Sequence, residues 1–369
     1  MAEEWNDMEQ NTPKRAKTKE ETDRKCPDCG GTMDFDPKTG GLSCPYCGRT
    51  EEIGVPQEKR AARELDFHAA EETGNCNWGV EKKVVICTSC GAESVYDALE
   101  IASECPYCGS NQVMEEKGKD TLAPGGVCPF KLDKKDAGNR FKTWLKRKWF
   151  CPKEAKEKAK PESFQGIYLP AWTFDTQTAS TYRAKYGRTR TVRRSDGKTH
   201  TVTDWYPTSG FYQKSVDDEV VFGSERYDQQ ILNSILPFNT EKNLEYKPEY
   251  VAGFAAERYS VGLSAAWEKA KALIHNKLEF QVEQKIMREH GASQVAQLQM
   301  RTDFSQITYK YLLLPVWISS FTYKGKTYQF MVNGQTGEVG GRTPISWIKV
   351  ALTVLLAAVL IGLFYYILG

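Results

Sequence analysis

The sequence predicts a multidomain chain: two small β ribbons clamped by cysteine knuckles, an α+β domain with two related β units and a helical insert, and one C-terminal transmembrane helix. Three observations predict this. A cysteine quartet occurs twice, a Leu-Pro-x-Trp phrase occurs twice, and the chain closes on an uncharged apolar run. The composition, 27% charged and 40% hydrophobic over 369 residues, is that of a soluble head with room for two or three domains. The net charge of only +2 gives no global argument for nucleic acid, so any such case rests on local basic patches.

The acidic start, followed by Pro13-Lys14-Arg15-Ala16-Lys17, offers too little apolar surface to offset chain entropy, and residues 1–25 are expected to be a disordered tail. Cys26, Cys29, Cys44 and Cys47 then follow a C-x2-C-x14-C-x2-C pattern, which returns as Cys87, Cys90, Cys105 and Cys108. Each pair of thiolates can reach one ion, and two pairs supply the four soft ligands of a tetrahedral zinc site. Gly30, Gly48, Gly91 and Gly109 follow the second cysteine of each pair, where the turn needs positive φ. A disulfide reading is disfavoured because no secretory signal is seen, and iron ranks below zinc. Residues 26–50 and 81–115 are therefore read as zinc ribbons holding two structural Zn2+ ions. All four thiolates of each quartet are committed, which leaves no open metal position for catalysis. Cys76, Cys128 and Cys151 fit neither quartet and read as plain thiols.

Within the first ribbon, Thr32 to Phe35 and Gly41 to Ser43 flank Asp36-Pro37-Lys38-Thr39-Gly40, a strand, turn and strand. Residues 51–80 are read as a helical linker, with a helix over 56–72 that opens at Pro56 and runs through Ala61, Leu65 and Ala69. Trp78 to Ile86 alternates as a strand leading into Cys87. Residues 116–165 are read as a basic amphipathic linker. Twelve Lys or Arg face four Asp or Glu between Lys131 and Lys160, and Phe141, Trp144, Leu145 and Trp149 are spaced for one helix face. Packing on the neighbouring domain, anionic lipid and nucleic acid compete for that helix, in that order.

Residues 166–344 form the β-rich domain. Leu169-Pro170-Ala171-Trp172 recurs 145 residues later as Leu314-Pro315-Val316-Trp317, and each copy is followed by hairpin signals at Asp196-Gly197 and Lys324-Gly325-Lys326. Between the copies, Ser264 is read as an N-cap. Trp267, Ala270, Ile274, Leu278, Val282 and Ile286 make the apolar stripe of a helix stopped by Gly291. His275 and His290 read as ordinary helix residues.

Residues 345–369 are read as a tail anchor. Val350 to Leu368 carries no charge and no proline; at 1.5 Å per residue it spans about 28 Å, close to the hydrocarbon core. Its twelve Leu, Ile, Val and Phe contribute on the order of −5 kcal/mol to insertion. Trp347 at one end and Tyr365 with Tyr366 at the other suit the two interfaces, and Arg342 and Lys349 predict a cytoplasmic head on a single-pass cell-membrane protein. No phosphate loop, H-E-x-x-H, G-x-S-x-G or dinucleotide fingerprint occurs, and four scattered histidines are thin material for acid–base chemistry, so a non-enzyme is expected.

The CPxCG knuckles, Cys128-Pro129-Phe130, the YLPAW phrase from Tyr168, Pro248-Glu249-Tyr250-Val251-Ala252-Gly253-Phe254 and the NGQTG loop from Asn333 resemble a bacterial family of membrane-anchored TFIIB-type zinc-ribbon proteins. Its members are often labelled primosomal helicase-like, although no helicase motor is present here. The resemblance implies recruitment of protein partners at the membrane, with flotillin-like or phage-shock-type membrane proteins as candidates. In Cys87-Thr88-Ser89-Cys90 the knuckle proline is missing, but its ligands are intact. Two functions follow as expectations: a tail-anchored protein-interaction module bound to the lipid bilayer through residues 350–368, and, ranked second, a membrane-tethered nucleic-acid binder.

Overall fold

The computed structural model describes residues 25–54, 61–67, 82–87, 93–97, 113–116, 124–160, 163–193, 199–257 and 259–368. Residues 1–24 of the expected disordered tail, Cys76, Cys90, Cys105, Cys108, Gly91, Gly109 and the Asp196-Gly197 turn lie outside them. In chain order come β1 (Asp34–Asp36), β2 (Gly41–Ser43), β3 (Thr50–Glu51), β4 (Leu65–Asp66), β5 (Lys82–Cys87), β6 (Glu93–Asp97), β7 (Val113–Glu116) and β8 (Gly126–Val127). Two helices follow, α1 (Lys134–Arg147) and α2 (Lys153–Lys158), and then the long strands β9 (Gln165–Arg193) and β10 (Thr199–Phe222). Next are α3 (Gln229–Ser234), β11 (Leu244–Glu245), β12 (Ala255–Glu257), α4 (Leu263–His290), β13 (Gln294–Tyr323), β14 (Lys326–Asn333), β15 (Val339–Gly341) and α5 (Trp347–Leu368).

The repeated phrase is the centre of the body. Strands β9 and β13 pair antiparallel with Leu169 opposite Leu314, so the two copies of Leu-Pro-x-Trp meet at their equivalent residues. Equivalent residues facing each other across an antiparallel ladder define a local two-fold axis between them. The surroundings obey it. Strand β12 lies parallel to β9 at Ile167 and Tyr168, and β8 lies parallel to β13 at the matching Leu312 and Leu313. Gly223 N donates to Pro170 O at 2.8 Å, and Gly334 N donates to Pro315 O at 2.8 Å. Gly223 O accepts from Ser260 N and Val261 N; Gly334 O accepts from Lys131 N and Leu132 N. Trp172 Nε1 donates to Val261 O at 2.8 Å, and Trp317 Nε1 donates to Leu132 O at 2.9 Å.

Each unit is thus a short strand, a helix and a long hairpin, with its short strand paired to the other unit's hairpin. Two expectations are corrected by this. The helix between the β units is not an insert: α4 is the second unit's counterpart of α1. The 116–165 linker is likewise no linker, because from residue 124 the chain already belongs to the first unit. Sequence periodicity described both helices but carried no signal that they were equivalent, since α4 has twice the length of α1, 28 residues against 14.

Local chemistry accounts for the helix ends. Asp133 caps α1, its carboxylate accepting from Asp136 N at 2.7 Å. Helix α4 stops at Gly291, whose φ of 58° is the left-handed cap, and it starts after Gly262 rather than after Ser264. Its expected stripe is buried throughout, with Val282 and Ile286 packed on Tyr182 and Ala184 of β9. Only Phe141, Leu145 and the half-buried Trp144 of the other stripe pack inward, because α1 ends at Arg147 and leaves Trp149 73% exposed.

The helix expected over 56–72 is corrected where it is described: residues 61–67 contain no helix, and Leu65 and Asp66 form a strand that pairs with Tyr309 and Thr308 of β13. The open ladder groups of β13 outweigh a weak helical period, and Phe67 is buried against Phe174 and Trp267. Strands β6, β5 and β7 form an antiparallel trio that ends β5 on Cys87 and joins the body sheet through β12.

Aromatic side chains bind the two units. Phe130 stacks on Phe254 at 4.4 Å and meets Trp317 at 5.0 Å and Tyr168 at 5.1 Å. Tyr168 Oη donates to Tyr250 O at 2.9 Å. Phe130 also covers Gly334, where a Cβ would strike its ring. Phe130→Ala is therefore expected to cost about 3–5 kcal/mol, read as a lower urea midpoint. An unchanged midpoint would show that this cluster does not hold the units together.

Candidate metal centre

Strands β1 and β2 are joined by a turn at Asp36 to Gly40, with Gly40 N donating to Asp36 O at 2.9 Å. The two knuckles flank this hairpin. Gly30 N donates to Cys26 O at 2.8 Å, Gly48 N donates to Cys44 O at 2.9 Å, and the glycines take φ of 70° and 77°. A side chain with a Cβ is strained at those angles, so the glycine after each cysteine pair has a backbone role in this ribbon.

The turns bring the four sulfurs together. Cys26 Sγ lies 3.4 Å from Cys47 Sγ, Cys29 Sγ lies 3.5 Å from Cys44 Sγ, and all four lie within 4.8 Å of one another. A tetrahedral ion with metal–sulfur bonds of about 2.3 Å would set its ligands roughly 3.8 Å apart, so the quartet fits one ion. The backbone N–H of Cys47, then that of Tyr46, points at Cys44 Sγ and draws its thiol down to about 7 against the opposing effect of burial. Cys26 and Cys44 are buried, and Cys29 and Cys47 are exposed. The second quartet contributes only the backbone of Cys87 to the described residues, so this is the one cysteine cluster among them.

The ribbon is seated rather than dangling. Phe35 N donates to Ala252 O at 3.2 Å, Phe35 meets Tyr250 edge-on at 6.0 Å, and Lys38 Nζ pairs with the α1 cap Asp133 at 2.8 Å. Gly253 lies against Asp34. In the second knuckle Tyr46 is 78% exposed, and Arg49 just after it pairs with Asp28 at 2.6 Å.

Of the cysteines outside the quartets, Cys128 and Cys151 are buried in the body, and burial lifts the Cys128 thiol to about 12. They behave as the plain apolar residues their spacing suggests.

A second cluster went unseen in the sequence. Asp175, Asp217 and Asp218 converge at a bulge where Asp218 takes a φ of 49°. A lysine already answers this charge: Lys310 Nζ lies 2.8 Å from Asp218, 3.6 Å from Asp175 and 3.3 Å from Glu64. Burial, aided by Asp218 and Glu64, pushes Asp175 up to about 6 from an ordinary 3.8, over the lowering effects of Asp218 N–H and Lys310. A carboxyl with a raised folded-state pKa contributes stability that is full below its unfolded value and is lost as pH rises through the folded value. Asp175→Asn is therefore expected to gain stability relative to the parent between about pH 4 and pH 7, in urea titrations across that range. Parallel profiles would refute the assignment. Two adjacent aspartates at a strand bulge were the available signal, but their lysine lies on another strand.

At the far end, α5 contains an apolar window, Trp347–Phe364, with a mean hydropathy of 2.4 and none of it buried. By length and composition this helix can cross a membrane.

The "Uncharacterized protein YdjG" of Bacillus subtilis (strain 168) is 30% identical to the chain over 330 residues, 89% of this chain and 91% of that protein. The chain belongs to the YdjG family. No family profile and no solved structure matches it. Membership of the YdjG family rests on a match over 89% of the chain, far more than the knuckles alone.

Proposed function

We propose that the chain is a single-pass membrane protein whose cytoplasmic zinc ribbons recruit protein partners to the bilayer. The observation that carries this is the division of labour between the two ends. A sulfur quartet fit for one tetrahedral ion is docked through Phe35 and Lys38, leaving Tyr46 outward, while an apolar helix with no buried surface closes the chain. Zinc is the ion that four thiolates at this spacing favour, and a closed tetrathiolate site has a structural role. The second quartet is read in the same way, for two ions per chain. The TFIIB-type resemblance supports a recruiting ribbon, and flotillin-like or phage-shock-type membrane proteins are the partners it suggests.

The test is affinity capture of the full chain from detergent-solubilised membranes, with and without nuclease, alongside Tyr46→Ala. The recruitment reading expects a captured protein set that survives nuclease and is depleted at least about tenfold by Tyr46→Ala while the metal content stays unchanged. Capture that nuclease abolishes, with binding that falls steeply as salt rises, would replace it with the nucleic-acid reading.

A further inference from the structure

The root of α5 is stitched to the body. Ser346 N donates to Phe150 O at 2.8 Å, and Lys349 Nζ donates to Cys151 O at 2.8 Å and Trp149 O at 3.1 Å. A helix tied at its first turn cannot act as a loose tether, so it fixes which face of the head lies toward the bilayer. That face presents Trp149, Phe150, Ile345, Trp347 and Ile348, all exposed. Large aromatic and aliphatic side chains around the start of a span are the composition of an interfacial belt.

Among these groups is a cleft of about 780 Å³ between the start of α2, the β13–β14 turn and the first turn of α5. Lys153, Lys324, Lys326 and Lys349 line it, with Tyr323 and Tyr328. Its one lining carboxylate, Glu154, already accepts from Tyr323 Oη at 3.4 Å. Lys349 is engaged with backbone carbonyls, but the exposed Lys153, Lys324 and Lys326 still outnumber the one lining carboxylate, which makes the cleft a site for an anion. Its place at the foot of the span decides which anion, because at that depth the abundant phosphates belong to lipid headgroups.

We propose that this cleft binds the headgroup phosphate of an anionic phospholipid and holds the head flat against the membrane surface. The inference rests on the reading of α5 as a membrane span. Each well-placed lysine favours an anionic over a neutral surface by roughly fivefold, so three exposed lysines act well above the effect of one.

The experiment uses the full chain reconstituted in phosphatidylcholine vesicles that also carry phosphatidylglycerol, with a trace of photoactivatable phosphatidylglycerol or photoactivatable phosphatidylcholine. Retention after an alkaline wash reports the span, and peptide mapping of the photo-adduct reports the cleft. Labelling of residues 323–328 or 345–349 is expected to be at least about fivefold greater with the phosphatidylglycerol probe. Lys153→Gln with Lys324→Gln and Lys326→Gln should bring it down to the phosphatidylcholine level while the wash and the metal content stay unchanged. Lys349 is left in place because it holds the turn. Equal labelling by the two probes, or labelling indifferent to the triple variant, would overturn the headgroup site while leaving the span intact. Displacement by millimolar inorganic phosphate would overturn the lipid assignment. Loss of the protein in the wash would remove the span and the site together.

Discussion

Cys44→Ser is expected to lower the metal content by one ion per chain, from the two proposed, and to unfold residues 25–54, while the body beyond residue 124 stays folded. The apolar core of the ribbon is little more than Met33, Phe35, Leu42 and Ile53. That is too small to offset the entropy of ordering some thirty residues at roughly 1–2 kcal/mol each. A structural ion supplies on the order of 10 kcal/mol or more, and the ribbon loses that term when a buried ligand is removed. The body keeps Trp172, Tyr168, Phe141 and Phe164 fully buried and does not depend on the metal. Elemental analysis reads the ion count, and amide exchange separates the two regions. Rapid exchange should appear in 25–54, spread at most to 248–254 where Phe35 and Asp34 dock, and leave β9 and β13 protected. An unchanged ion count would show that this quartet is not a ligand set; one ion in the parent would restrict metal to the first ribbon.

The second large effect concerns α5. Leu356 and Val359 lie near the middle of the helix, both exposed. An arginine at the centre of a span costs about 2.5–3.5 kcal/mol, and each replaced aliphatic side chain forfeits about 0.3–0.6 kcal/mol. Leu356→Arg with Val359→Arg therefore costs about 6–8 kcal/mol, against an insertion term on the order of −5 kcal/mol for the whole segment. The double variant is expected to leave the membrane pellet under alkaline extraction; the single Leu356→Arg should be retained in part. Full retention of the double variant would show that lipid is not what covers this helix. In neither case should the ion count change, since the quartet is assembled from residues 26–47 alone.

What was legible in the sequence was local. The knuckle spacing of the first quartet, Gly30 and Gly48 after its pairs, the stripe of α4 and the charge-free run of α5 each depend on residues a few positions apart, so periodicity and turn chemistry carry them. The helix misread over 56–72 is the complementary case. Its spacing was adequate, but Leu65 and Asp66 pair with Tyr309 and Thr308 of β13, a partner hundreds of positions away. Trp149 was misplaced for a similar reason, because the turn that carries it is held by Lys349 from the opposite end of the chain.

By itself the sequence determined the Cys26, Cys29, Cys44 and Cys47 cluster, the apolar helix and the existence of two related units, because each is written in short-range residue order. Only the tertiary structure decided that the two Leu-Pro-x-Trp copies face each other across a two-fold axis and that α1 and α4 are counterparts. It also set Lys310 beside Asp175 and Asp218 and gathered four lysines at the foot of α5. The physical reason is that strand pairing and charge neutralisation are satisfied between distant segments, and a one-dimensional pattern holds no record of which distant partner is taken.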